Sequence, residues 1–255
     1  MAATPEFTYT ITFGDCAENR VGMQQIGSKA STGFTIEDLY RIKAKFEQEG
    51  VICQLEILDP FPYVGKKAAV LVIRGGANLL SNADEMLKEQ MKIKYDTQYR
   101  DTRFGGIKNN RARYNVCFAD EAQEMNLDEA KGTIYSFDSL PWLNMFRQML
   151  PEFFGEKAEG LYAEGNLYPD ITKCGIGYHT DKERTKVAAV RLGATMVLCF
   201  AFFYQGKVYG DSLRIILEHG DAYCMSEEAV GVQRRNGMTL KHAAGAEKYV
   251  SLDKY

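Results

Sequence analysis

The stretch CGIGYHTDKERTKVAAVRLGATMVLCFAFF, residues 174–203, decides the fold. It breaks into three short apolar runs, CGIGYH (174–179), KVAAVRLG (186–193) and TMVLCFAFF (195–203), separated by polar residues or glycine. Each run has strand length, and none carries the 3.6-residue period of a helix. The same texture continues in SLRIILE (212–218), DAYCMS (221–226), MTLKHA (238–243) and KYVSL (248–252). In SLRIILE, Leu213, Ile215 and Leu217 take one face, Ser212, Arg214 and Ile216 the other, and Gly220-Asp221 makes the next turn. Many short strands in succession predict a sandwich or jelly-roll barrel from about residue 160 onward.

Upstream the texture is mixed. In FTYTITF (7–13), Phe7, Tyr9, Ile11 and Phe13 alternate with three threonines, as in a strand with one apolar face. Thr35 and Asp38 have capping-box spacing ahead of a helix whose stripe is Ile36, Leu39, Ile42 and Phe46, closed by Gly50. ICQLEIL (52–58) and AAVLVIRG (68–75) read as strands and ADEMLKEQMK (83–92) as a helix. After an Arg-rich stretch, RYNVCF (113–118) reads as a strand, and a helix starts at Pro141 and covers 141–150. The chain is therefore expected to be α+β, with an N-terminal α+β lobe over 1–95 packed on a β-rich domain over 96–255. No flexible linker separates the two.

Bulk composition narrows the function. Apolar residues make up 45% and charged residues 25% of 255, ordinary for a folded protein with a sizeable core. No apolar run approaches the roughly 20 residues of a membrane helix, and the N-terminus lacks the pattern of a signal peptide. Six cysteines are scattered without CxxC pairs, as expected of buried thiols in a reducing compartment. These features predict an intracellular, soluble protein of the cytoplasm or nucleus. A net charge of −3 argues against non-specific affinity for duplex nucleic acid, which needs dense Lys and Arg.

Three histidines occur, at 179, 219 and 242. His179, Asp181 and His242 form a His-x-Asp…His pattern in the β-rich half. Two imidazoles and one carboxylate on one face of an octahedron leave three positions for co-substrate and dioxygen, the usual donor set for non-haem Fe(II). Residues two apart on a strand share a face, so His179 and Asp181 are expected to point together. The pattern alone is a weak signal, and a surface His and Asp with a core His would produce it equally well. A zinc site would need a fourth ligand, which no further Cys or His cluster supplies. His219, in the Leu-Glu-His-Gly-Asp turn, is expected to be a hydrogen-bonded turn residue and Trp142 a core anchor.

Flanking residues add specificity. Pro141-Trp142-Leu143, Asn166-Leu167-Tyr168, His179-Thr180-Asp181 followed by Glu183, Leu217-Glu-His-Gly-Asp221 and His242-Ala-Ala-Gly occur in one order. In that order they resemble the AlkB-like Fe(II)- and 2-oxoglutarate-dependent dioxygenases over about residues 140–255. The resemblance implies a double-stranded β-helix (jelly-roll) core with flanking helices and iron on His179, Asp181 and His242. It further implies co-substrate contacts from Asn166 and Tyr168, and ascorbate as reductant. The family's closing Arg-x-Asn-x-x-x-Arg strand corresponds here to Lys248-Tyr-Val-Ser-Leu-Asp-Lys254. Lysine keeps the charge but loses the planar fork, so Lys248, Lys254 and Arg191 all stand as candidate anchors for 2-oxoglutarate.

The activity implied is hydroxylation or oxidative demethylation of a C–H group, with 2-oxoglutarate converted to succinate. A nucleobase in single-stranded nucleic acid, or a nucleotide, is the first substrate class. Glu183 takes the family's acidic position facing a base amine. Arg103, Arg111 and Tyr114 belong to a stretch, 94–118, that interleaves cations with aromatics as phosphate- and base-binding segments do. A protein side chain or small metabolite is the alternative substrate. A non-catalytic binding module is a third reading, disfavoured by the intact triad. No membrane or obligate protein partner is expected.

Overall fold

A computed structural model of the chain describes residues 6–58, 67–231 and 237–255. Along the N-terminal part run β1 (Thr8–Gly14), the small hairpin β2 (Cys16–Glu18) and β3 (Gln25–Gly27), then α1 (Ile36–Gln48). Next come β4 (Cys53–Leu58), β5 (Ala68–Ile73), α2 (Ala77–Leu80) and α3 (Ala83–Lys92). The middle holds the hairpin β6 (Gln98–Arg100) and β7 (Ile107–Asn109), then β8 (Tyr114–Ala119), β9 (Ile134–Ser136) and α4 (Pro141–Phe154). Strands then dominate: β10 (Tyr162–Tyr168), β11 (Gly175–His179), β12 (Val187–Gly193), β13 (Met196–Tyr204), β14 (Lys207–Leu217) and β15 (Ala222–Met225). The chain closes with α5 (Glu227–Val230), β16 (Met238–Gly245) and α6 (Glu247–Val250). The architecture is α+β and mostly strand.

An eight-stranded sheet has the order β4-β5-β15-β12-β1-β10-β8-β9, antiparallel except for β8–β9, and a four-stranded antiparallel sheet has the order β11-β16-β13-β14. The alternation in β1 sets the division of faces. Tyr9, Ile11 and Phe13 pack outward against α1, α3 and α4, joining Leu39, Phe46, Met86, Phe146 and Phe154 in the larger apolar core. Thr10 and Thr12 face the other way, into the space between the sheets. There Val70, Val72, Ala189 and Met225 of the large sheet meet Leu198, Phe200, Ile215 and Leu217 of the small one. The outer face of the small sheet packs Tyr178, Cys199 and Phe203 under Val250 of α6. Among the described residues no barrel is closed, and no helix is long and apolar enough to cross a membrane.

The boundary expected at residue 95 does not coincide with a break between sheets. β1 lies between β10 and β12, with Thr10 opposite both Asn166 and Arg191, and β5 pairs with β15. Both edges of β1 are paired with strands of the C-terminal half.

Two elements differ from expectation. The helix from Pro141 continues through Pro151 to Phe154, where burial of Phe153 and Phe154 against Phe46 holds the extra turn and Gly155, at φ +85°, ends it. The strand expected over 248–252 does not form. Both edges of β16 are already paired, with β11 and β13. The chain instead crosses the outer face of the small sheet as α6, where Tyr178 Oη donates to Val250 O at 3.1 Å.

The capping box of α1 is complete. Thr35 Oγ1 accepts from the Asp38 N–H at 3.2 Å, and Asp38 Oδ2 accepts from the Thr35 N–H at 2.8 Å. Burial pushes the Asp38 carboxyl up, but bonds from Lys157, Thr35 and Arg41 outweigh it and hold the group below its usual range. Thr35→Ala is expected to cost about 1 kcal/mol, seen as a melting point lower by about 2–4 °C. An unchanged melting point would show that Lys157 and Arg41 alone hold the helix start.

Candidate metal centre

The centre depends on a bulge. β11 and β16 pair Ile176 with Ala244 and His179 with His242, so three steps on one strand match two on the other. Regular alternation would have placed His179 on the same face as Gly177, opposite Ile176. The extra residue sends Tyr178 outward and turns His179 into the space between the sheets, beside Ile176. His242 reaches the same space by simple alternation with Leu240 and Ala244.

Asp181 does not sit on the strand as the two-residue spacing suggested. β11 ends at His179, and Asp181 follows in a loop held by its own N–H donating to Val230 O at 3.2 Å. Its Oδ1 stands 3.4 Å from Nε2 of His179 and 3.4 Å from Nε2 of His242. Ligand atoms of all three residues lie within 4.8 Å of one another. Close strand pairing makes this possible. At Gly245 (φ +115°) a Cβ would lie 2.4 Å from Gly175 Cα and 2.5 Å from Cys174 O. Gly245→Ala is expected to push β11 off β16, destabilising the fold by about 1–3 kcal/mol and weakening metal binding. Urea unfolding and a Co(II) titration check this, and an unchanged Co(II) affinity would detach the glycine contact from the centre.

The three side chains could hold a metal ion. His179 Nδ1 lies 2.9 Å from Gly177 O, an outer partner that fixes the ring orientation and leaves Nε2 facing Asp181. Burial, followed by the neighbouring His179, lowers the His242 pKa and keeps that ring neutral. Burial pushes the Asp181 carboxyl up, but His242, His179 and Arg184 outweigh it and hold it well below the usual carboxylate range. Two imidazoles and one carboxylate result, with no fourth His, Cys, Asp or Glu in the cluster among the described residues.

A cavity of about 1390 Å³ opens from this cluster between the sheets. Its large-sheet wall carries Thr10, Asn166, Tyr168 and Arg191. Arg191 is 1% exposed, and its Nε and Nη1 have no hydrogen-bond partner among the described residues. Thr10 Oγ1, directly opposite on β1, is likewise buried without a partner. Burial lowers the Arg191 pKa, opposed in order by the Tyr223 and Tyr168 phenols and the Asp221 carboxylate, none of which is hydrogen-bonded to its Nε or Nη1. Burial pushes the Tyr223 phenol up to about 12, so it stays a donor at neutral pH.

Other expected site residues divide clearly. Asn166 and Tyr168 line the cavity, but the Asn166 amide is largely engaged: Oδ1 accepts from Arg113 at 2.7 Å and Asn115 at 2.5 Å, and Nδ2 donates to Glu164 at 2.9 Å. Glu183 lines the cavity and is bound by Arg184. Lys248 and Lys254 are exposed on α6 and the tail beyond it, outside the cavity, and the Lys254 ammonium donates to Lys248 O at 2.7 Å. Arg103 and Arg111 are exposed away from the cavity, and Tyr114 packs on the outer core. From the stretch 94–118 it is Arg113 that lines the cavity, joined by Arg20 stacked at 4.5 Å on Tyr99. Thr10, Glu18, Glu164, Arg184 and Tyr223 were not singled out from sequence. The polar face of FTYTITF was the one available signal, pointing to Thr10. His219 is a turn residue, accepting from the Gly193 N–H at 3.0 Å, and Trp142 packs on the outer core.

An α+β protein with a His-Asp-His cluster between two sheets is the class that fold and site define. No protein-family model matches the chain. Over 252 residues it is 40% identical to "Uncharacterized protein R156" of Acanthamoeba polyphaga mimivirus, spanning 95% of this chain and 97% of that protein. The chain belongs to the same family as that viral protein.

Proposed function

We propose that this protein is an Fe(II)- and 2-oxoglutarate-dependent dioxygenase of the AlkB-like type, its two facing sheets forming an open double-stranded β-helix. One observation carries the reading: a buried guanidinium, Arg191, whose Nε and Nη1 have no partner among the described residues, lines the same cavity as a three-ligand His-Asp-His cluster. An unpaired buried charge is costly to keep, and a dicarboxylate that also reaches the metal explains both features together.

His179 and His242 through Nε2, and Asp181 through Oδ1, would hold the iron. Iron bound there supplies the oxidative decarboxylation of 2-oxoglutarate to succinate, coupled to hydroxylation of a substrate C–H bond. Arg191 pairs with the distal carboxylate in a water-poor pocket, where the fork of donors is strongest. Thr10 offers its hydroxyl to the same carboxylate, and the neutral Tyr168 and Tyr223 phenols line the pocket around it. Val187, Leu198, Met225 and Ala244 line the cavity with apolar surface and limit water near the reacting carbon. Where that carbon is a methyl on nitrogen, hydroxylation yields a hemiaminal that releases formaldehyde.

A nucleobase in single-stranded nucleic acid, or a nucleotide, remains the first substrate class. Arg20 and Arg113 support it as two guanidiniums lining the cavity, one stacked on Tyr99 and the other donating to the Asn166 amide. The position of Arg103, Arg111 and Tyr114 outside the cavity favours the second reading, a small metabolite or protein side chain. The test is succinate formation with Fe(II) and ascorbate, alone and with methylated single-stranded DNA, RNA or free nucleosides. Turnover stimulated by one of these supports the first reading, and turnover indifferent to all of them moves the substrate to the second. No turnover by iron-loaded protein would sink the dioxygenase proposal.

A further inference from the structure

The roles above leave unused the most deeply buried charge beside the cluster. Arg184 is 3% exposed and lies three residues beyond Asp181. Its Nη2 pairs with Glu164 of β10 and, at 2.8 Å, with Glu183. Its Nε is 2.9 Å from Glu183 Oε1 and 3.6 Å from Asp181 Oδ2. Both imidazole Nε2 atoms face the other Asp181 oxygen, Oδ1. One carboxylate therefore stands in two fields, with histidines on one oxygen and a guanidinium on the other.

We propose that Arg184 is a positioning residue that holds Oδ2 of Asp181, so that Oδ1 alone is presented between the two histidines. The inference rests on the metal-centre reading. Asp181 lies in a loop past its strand, and the last torsion of an aspartate is broad and nearly two-fold. Left to itself the carboxylate would turn freely or offer both oxygens to a metal, consuming a position that co-substrate or dioxygen needs. Charge on Oδ2 removes that freedom.

The guanidinium is itself anchored in the large sheet. Glu164 on β10 accepts from Asn166 Nδ2, and Asn166 Oδ1 accepts from Arg113 and from Asn115 of β8. Hydrogen bonds thus run from two central strands to the Arg184 guanidinium, whose charge lies 3.6 Å from the Asp181 carboxylate across the gap between the sheets. A purely structural role accounts less well for the arrangement, because apolar residues of similar volume often replace buried ion clusters without loss of stability. The same contacts hold Glu183 in the cavity wall, where Arg184 donates both of its bonds.

The test is Co(II) binding followed by its visible absorption, in wild type, Arg184→Lys and the double variant Arg184→Gln/Glu164→Gln. The lysine variant keeps the charge and loses the Nε–H beside Asp181. The double variant removes the guanidinium together with its main buried carboxylate partner, so the fold is not left with an unpaired Glu164. Circular dichroism identifies the folded variants. We expect the Co(II) Kd to rise about 10- to 100-fold, the usual effect of losing a ligand's outer partner, with an altered absorption spectrum. A folded variant with wild-type affinity and spectrum overturns the positioning role while leaving the metal centre intact. Wild-type protein that binds no Co(II) overturns the metal-centre reading, and this inference with it.

Discussion

Arg191→Met is expected to weaken 2-oxoglutarate binding about 30-fold or more, while making the protein without co-substrate more resistant to urea. The two effects come from one cause. The Arg191 guanidinium is 1% exposed, and two of its three nitrogens have no partner among the described residues. With a carboxylate bound it becomes one half of a buried, hydrogen-bonded ion pair, and truncating such a partner costs about 2–5 kcal/mol. Without a ligand it is a desolvated charge, and methionine fills similar volume at no electrostatic cost. Relief of that kind is worth about 1–4 kcal/mol where apolar residues replace buried charge. Isothermal titration with 2-oxoglutarate and urea unfolding of ligand-free protein read the two effects separately. Unchanged binding would move the co-substrate anchor elsewhere, and a less stable ligand-free variant would show that the guanidinium serves the fold.

Asp181→Ala is expected to abolish metal binding and, with it, succinate formation. Asp181 is the one carboxylate of the cluster and the group both imidazoles face. Two histidines alone do not hold Fe(II) on one face against water. A ligand that binds only the folded state stabilises it by RT ln(1 + [L]/Kd), about 2.7 kcal/mol at a hundredfold excess over Kd. Wild-type protein should therefore melt higher as Mn(II) or Co(II) is added, and the variant should not respond. A variant that keeps the metal-dependent rise would place the ion elsewhere and overturn the cluster as the centre.

The candidate site was legible in sequence to different depths. His179, Asp181 and His242 stand out because the chain has few histidines and because ordered flanking segments surround the three residues. The resemblance puts Lys248 and Lys254 first as anchors, since they take the positions of the family's arginines, and leaves Arg191 as a second candidate. The structure separates them by burial, placing Arg191 on the inner wall and both lysines in solvent. β10 gave no clear strand signal, because its inward positions, Glu164 and Asn166, line a polar cavity and alternate with Ala163 and Gly165 rather than with large apolar residues. Arg184 looked like one more charge in a polar loop. Its importance comes from Glu164, twenty positions earlier on β10.

Local chemistry was enough to determine much of this protein by itself. The capping box at Thr35, the alternation in β1, the short strands after residue 160 and the α+β composition all follow from patterns within a few residues. Tertiary structure alone decided three things. It put β1 between β10 and β12, used a bulge to turn His179 inward, and made a helix of the segment after His242. The reason is common to all three: strand pairing and the facing of two sheets join residues far apart in the chain, and no local pattern states which edge is free or which face a bulge will select.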